Sequence, residues 1–179
     1  MARRVHMALR MFASRLTLGF LGALTLSACT VKSADDSGKT APPAGVAELF
    51  SEDLPDATPD ALAGVWAAAK EETSSGTAEL RFRFEEGRII VGSHCVLSHD
   101  GKTYDIIAGQ SAGLATEDLS AKEGSFELQE EVNFSGQDGP ARCTGRLSAG
   151  KWNFAIDGKD AALTQTGKTG QHTIIKVAD

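Results

Sequence analysis

Between Ala78 and Glu85, apolar and polar residues alternate without a break. Ala78, Leu80, Phe82 and Phe84 fall on one parity, and Glu79, Arg81, Arg83 and Glu85 on the other. Period two puts one set on each face of an extended chain, which predicts a half-buried β-strand. Glu86-Gly87 follows as a two-residue turn, with Gly able to take positive φ. That turn pairs Phe84 with Ile89, Phe82 with Val91, Leu80 with Ser93 and Ala78 with Cys95. Asp100-Gly101, a strong short hairpin signal, extends the same face by pairing Leu97 with Tyr104, Cys95 with Ile106 and Ser93 with Ala108. Further on, Ala149-Gly150 pairs Leu147 with Trp152, Gly145 with Phe154 and Cys143 with Ile156. Gly158-Lys159 pairs Ile156 with Ala161 and Phe154 with Leu163. A one-residue slip would turn each apolar set outward, so agreement across successive turns carries information about register.

Phe126, Leu128, Val132 and Phe134 alternate with Glu127, Gln129, Glu131 and Asn133, which predicts another strand. A last strand covers about Gln171 to Val177. With a strand around Trp66 and a weaker one near Leu114, nine or ten short antiparallel strands follow one another by tight turns. The expected fold is all-β, a single antiparallel up-and-down β-barrel of about 8–10 strands over residues 62–179. A β-sandwich is the alternative.

Charge changes the picture at the N-terminus. Four of the 18 Lys and Arg residues precede Cys29, and none of the 24 acidic residues does. The remainder carries 14 basic against 24 acidic side chains, a net of −10. Such a surface repels nucleic acid and anionic lipid headgroups, so any membrane attachment needs an anchor. Residues Met1 to Arg15 are basic and lack acids. An apolar run from Leu16 to Leu26 follows, too short to span a bilayer but suited to a secretory signal.

That run ends in Leu26-Ser27-Ala28-Cys29, an apolar residue, two small residues and a cysteine. The stretch resembles the lipobox of bacterial lipoproteins. The resemblance implies a signal peptide over residues 1–28, cut before Cys29, with the Cys29 thiol carrying a diacylglyceryl group and usually a further acyl chain. Several chains hold a membrane firmly where one does so only marginally. Thr30 stands where inner-membrane retention is associated with Asp, which favours the outer membrane. Residues 29–61 are polar and small-residue-rich, with Pro42-Pro43, Pro55 and Pro59, and read as a flexible tether. Within it, Val46-Ala47-Glu48-Leu49-Phe50 suggests one short helical turn packed on the domain.

Leu62-Ala63-Gly64-Val65-Trp66 opens the folded region. Gly64 and Trp66 resemble the Gly-x-Trp start of lipocalin-like barrels, in which the Trp plugs one end of the barrel. Small barrel-shaped envelope lipoproteins and barrel-type inhibitors of proteases or lysozymes resemble the same plan.

Cys95 and Cys143 remain. An exported chain meets an oxidising compartment, and both cysteines fall on the inward face, so a disulfide is expected. The alternative is two buried thiols on non-adjacent strands. Gly109-Gln110-Ser111-Ala112-Gly113 matches Gly-x-Ser-x-Gly, and Asp157 and His172 follow in hydrolase order. The elbow that motif needs lies between a strand and a helix of a parallel sheet, so the segment reads as a flexible turn instead. His94, Cys95 and His99 do not share a face, which argues against a metal site. No catalytic residue and no cofactor is expected.

The interior supplies the functional expectation: a membrane-anchored envelope lipoprotein whose barrel binds a small apolar ligand. Trp66, Phe82, Tyr104, Trp152 and Phe154 would line the cavity. Glu130, between Leu128 and Val132 on the inward parity, would anchor a polar ligand group; a bulge turning it outward is the competing reading. The alternative function is a protein-binding envelope lipoprotein, such as a hydrolase inhibitor, with no small-molecule ligand.

Overall fold

The computed structural model describes residues 41–51, 61–116 and 118–178. The expected signal peptide and Cys29 lie outside these residues. Eleven strands are present: β1 (Gly64–Ala68), β2 (Glu71–Thr73), β3 (Gly76–Glu85), β4 (Arg88–His99), β5 (Lys102–Thr116), β6 (Glu123–Leu128), β7 (Val132–Asp138), β8 (Ala141–Leu147), β9 (Gly150–Asp157), β10 (Asp160–Gln165) and β11 (His172–Ala178). A 3-10 turn over Ala47–Phe50 precedes them.

Eight strands close a barrel in the order β1-β11-β10-β9-β6-β5-β4-β3, with β3 pairing back onto β1. All pairings are antiparallel. β2 prolongs the wall beside the start of β3. The expected registers hold at three turns. Ala78 faces Cys95 and Phe84 faces Ile89; Leu97 faces Tyr104 and Ser93 faces Ala108; Ile156 faces Ala161 and Phe154 faces Leu163. At Asp100-Gly101 both residues take positive φ, 48° and 73°, as a primed two-residue hairpin turn requires.

Two expectations are corrected. Gly109 to Gly113 is not a turn but the continuation of β5, paired with Arg88–Gly92 of β4. The ladder satisfies its backbone groups, and small side chains fit a strand flanked closely on one side. The Ala149-Gly150 hairpin also does not form as expected. β8 folds back on β7 instead, with Phe134 opposite Gly145 and Gly136 opposite Cys143, while β9 pairs with β6, Phe126 opposite Trp152. The alternation from Phe126 to Phe134 is thus two strands, interrupted by a bend at Gln129–Glu131.

The β7–β8 hairpin is therefore an insertion between neighbouring barrel strands. It packs on the inner face of β4 and β5, where these run on beyond β6. A Cβ on Gly136 would stand 2.9 Å from Ile106 Cγ2 and 3.0 Å from Ala108 Cβ, so glycine sets how closely the hairpin approaches. A disulfide joins Cys95 of β4 to Cys143 of β8, with Cα atoms 5.8 Å apart, and so staples hairpin to wall.

The bond closes a loop of 48 residues. By loop-closure entropy, its loss costs about 4 kcal/mol. The paired Cys95→Ser, Cys143→Ser protein is expected to lose about that much in urea unfolding; unchanged midpoint and slope would show that the staple does not stabilise the domain.

Candidate functional site

The barrel interior comes first, because the expected ligand contacts were placed there. Trp66, Phe82, Trp152 and Phe154 do point inward, and all belong to one continuous buried cluster. Phe82 and Trp152 are linked through Phe84 and Phe126. Ring centroids lie 6.3 Å apart for Phe82 and Phe84, 5.5 Å for Phe84 and Phe126, and 6.3 Å for Phe126 and Trp152. Both indole N–H groups are satisfied by the chain itself: Trp66 Nε1 donates to Leu62 O at 2.7 Å and Trp152 Nε1 to Ser148 O at 3.1 Å. Phe82, Phe84, Phe126 and Trp152 thus form one run of aromatic contacts of ordinary spacing.

Tyr104 is half-buried, its ring against Gly139 in the hairpin turn. Glu130 is corrected: it is exposed, in the bend between β6 and β7. β6 ends at Leu128, so the inward parity does not extend to residue 130, and an unpaired carboxylate stays hydrated at little cost.

One inward residue escaped the sequence reading. Lys176 is 4% exposed. Its ammonium sits 5.8 Å from the centroid of Trp66 and donates to Ala61 O at 3.3 Å. The parity it shares with Ile174 already placed it inward, but a lysine there reads as a break in the pattern. The cation over an indole face replaces part of its hydration.

The hairpin presents the second feature. Its outer face carries Asn133 and Ser135 on β7 and Arg142, Thr144 and Arg146 on β8, around a surface hollow of about 420 Å³ floored by Phe134 and Gly145. Both arginines are exposed, and Arg146 Nε lies 3.5 Å from Glu131 Oε2. Alternation on β8 spaces the two guanidinium-bearing positions roughly 13 Å apart along the strand.

The third feature is on the outer wall. Gly92 and Gly109 face each other across β4 and β5. Into the notch they leave drops the segment before the barrel: Val46 and Leu49 are fully buried. A Cβ on Gly92 would stand 3.0 Å from both Val46 Cγ1 and Phe50 Cε2, and one on Gly109 2.6 Å from Val46 Cγ1. Arg81 of β3 donates from Nη1 to Leu49 O at 2.7 Å and lies 5.2 Å over the Phe50 ring. Arg83 Nη1 stands 3.5 Å from Glu48 Oε2. The unbroken apolar run Ile89-Ile90-Val91-Gly92 is the trace of this in the sequence, since a strand covered on both faces loses its alternation.

Of the residues weighed for chemistry, Ser111 is on the outer face of β5, Asp157 ends β9 and His172 opens β11. His94 Nε2 pairs with Asp105 Oδ1 at 2.8 Å, and His99 Nε2 with Asp100 Oδ2 at 3.3 Å. Among the described residues, no three His, Cys, Asp or Glu side chains converge as a metal site.

Fold and features together define a closed eight-stranded antiparallel barrel with a stapled hairpin insertion. No family model matches the chain, and no curated protein or solved structure does either.

His172 lies 6.0 Å from Trp152 between ring centroids, and burial pushes its pKa below the usual 6.5. The folded state thus favours the neutral ring. Its contribution to stability is complete above pH 6.5 and is lost as pH falls toward the lower folded pKa, because the unfolded chain binds the proton first. Acid titration of unfolding is expected to show stability falling below pH 6.5, with a shallower fall in His172→Gln; identical pH profiles would remove His172 as the cause.

Proposed function

We propose that this chain is a lipid-anchored lipoprotein of the bacterial cell envelope that works by binding another envelope protein. Cys29 carries the lipid, the outer membrane is the site, and the barrel is a rigid carrier. One observation favours this over the apolar-ligand reading: the inward rings of Phe82, Phe84, Phe126 and Trp152 contact one another in series, and both indole donors are already satisfied within the chain. A ligand seated among these rings would have to part them.

The binding face on this reading is the outer side of β7–β8. Two arginines and a row of neutral hydrogen-bonding side chains stand on a domain that is otherwise strongly acidic. Such a face favours a partner surface bearing carboxylates. The staple holds the hairpin rigid, which lowers the ordering cost of association. An inhibitor of an envelope hydrolase fits this description. We assign the chain no catalytic role.

Three experiments test the proposal. With Cys29→Ser, the protein is expected to lose lipid labelling and to move from the membrane to the soluble fraction; membrane retention with unchanged labelling counts against the anchor. Titration of the purified domain with fatty acids is expected to leave Trp emission flat. A photo-crosslinker at Ser135 is expected to trap a specific envelope protein, and Arg142→Glu with Arg146→Glu to abolish that product. Saturable Trp quenching with co-purified lipid would favour the barrel-ligand reading instead.

A further inference from the structure

We infer that the notch at Gly92 and Gly109 is a docking site for the chain's own segment 43–51, and that its occupancy sets how much chain is free to act as tether. The membrane consequence rests on lipidation of Cys29; the docking itself does not.

The notch is built rather than incidental. Glycine weakens a strand interior, yet two glycines stand opposite each other in the two longest strands of the barrel. Neither has the positive φ that would call for glycine on backbone grounds. What requires them is space: a Cβ on Gly92 would meet Val46, Leu49 and Phe50, and one on Gly109 would meet the Val91 carbonyl of β4 as well as Val46. The neighbouring wall is equally specific, with Arg81 reading the Leu49 carbonyl and facing the Phe50 ring while Arg83 meets Glu48.

The segment is nonetheless held differently from the strands. It is a 3-10 turn, and the amides of Val46, Leu49 and Ser51 bond to carbonyls within the segment itself. Its grip includes two buried aliphatic side chains, the Phe50 ring between Arg81 and His94, one bond to a carbonyl and a pair in which Glu48 is 71% exposed. A unit with few buried contacts opens at lower free energy than the barrel it leans on.

Two tether lengths follow. With the segment docked, residues 30–42 link Cys29 to the wall, 13 residues that span at most about 45 Å. With it released, the link runs to Ala61, whose carbonyl Lys176 holds: 31 residues, 30–60, that span at most about 105 Å. Docking would hold the barrel close to the bilayer, and release would let it reach a partner much farther away.

Gly92→Ala tests this, because its Cβ meets only strap side chains, whereas one on Gly109 would strike the Val91 carbonyl at 2.4 Å. Hydrogen exchange is followed on the mature chain carrying Cys29→Ser, with and without Gly92→Ala. The expected result is at least tenfold faster exchange at the Leu49 amide and tenfold faster proteolysis between residues 43 and 61, with protection of β4 and β5 unchanged. Val46→Ala, which leaves the wall untouched, is expected to act in the same direction. Leu49 exchange within twofold of the parent in both variants overturns the docking. So does strap exchange that tracks that of the barrel amides in the parent. On vesicles of phosphatidylethanolamine and phosphatidylglycerol, the lipidated Gly92→Ala protein is expected to show lower energy transfer from a barrel dye to a bilayer dye. Equal transfer overturns the tether-length claim alone, and a parent chain that is not lipidated overturns the anchor while leaving the docking result standing.

Discussion

β5 runs for fifteen residues but pairs with β6 only over Leu114–Thr116. Most of the other features answer that mismatch. Where β4 and β5 outrun β6, their inner faces carry Cys95, Leu97, Ile106 and Ala108, an apolar surface that water would penalise. The β7–β8 hairpin is the cover. It arrives from the end of β6, lies against Ile106 and Ala108 through Gly136, and is pinned by Cys143. The insertion is therefore part of the core and not an appendage, and its polar outer face is displayed because its inner face is committed.

The barrel was legible in the sequence wherever a tight turn joined two alternating runs. Glu86-Gly87, Asp100-Gly101 and Gly158-Lys159 each tie register to local chemistry, and each came out as expected. Ala149-Gly150 misled because its local pairing competes with two longer-range ones, β8 with β7 and β9 with β6, and no local rule ranks them. The Cys95–Cys143 bond could still be anticipated, since inward parity places both sulfurs in the core under either pairing. Glu130 was misplaced for a related reason: parity counts only while the strand lasts, and β6 ends two residues earlier. Lys176 and the glycine notch were legible only as anomalies, a lysine on an apolar parity and an apolar run where polar residues belong. Both turned out to mark contacts with residues distant in sequence.

The walls are protected in different ways. β2 borders the sheet with Glu71 and Glu72 exposed, and charge at a sheet margin discourages pairing with other chains. The outer wall at β4 and β5 is shielded by the segment before the barrel. Inside, Phe82, Phe84, Phe126 and Trp152 contact one another in series, and the buried ammonium of Lys176 lies against Trp66. The arginine-flanked face of the hairpin stays accessible.

The ring is completed by its first and last strands: Val65 sits beside Ala178, and β1 also pairs with β3. Closure thus waits for β11, whatever has formed before. The β3–β4–β5 meander rests on neighbouring turns and can assemble early, and the loop between Cys95 and Cys143 can be sealed while β11 is still missing. Joining β1 to β11 is a contact across nearly the whole domain, the kind whose entropic cost makes folding slow. A chain emerging in N-to-C order would therefore spend its assembly as an open, curled sheet with Trp66 uncovered, and would become a barrel only in a last, cooperative step.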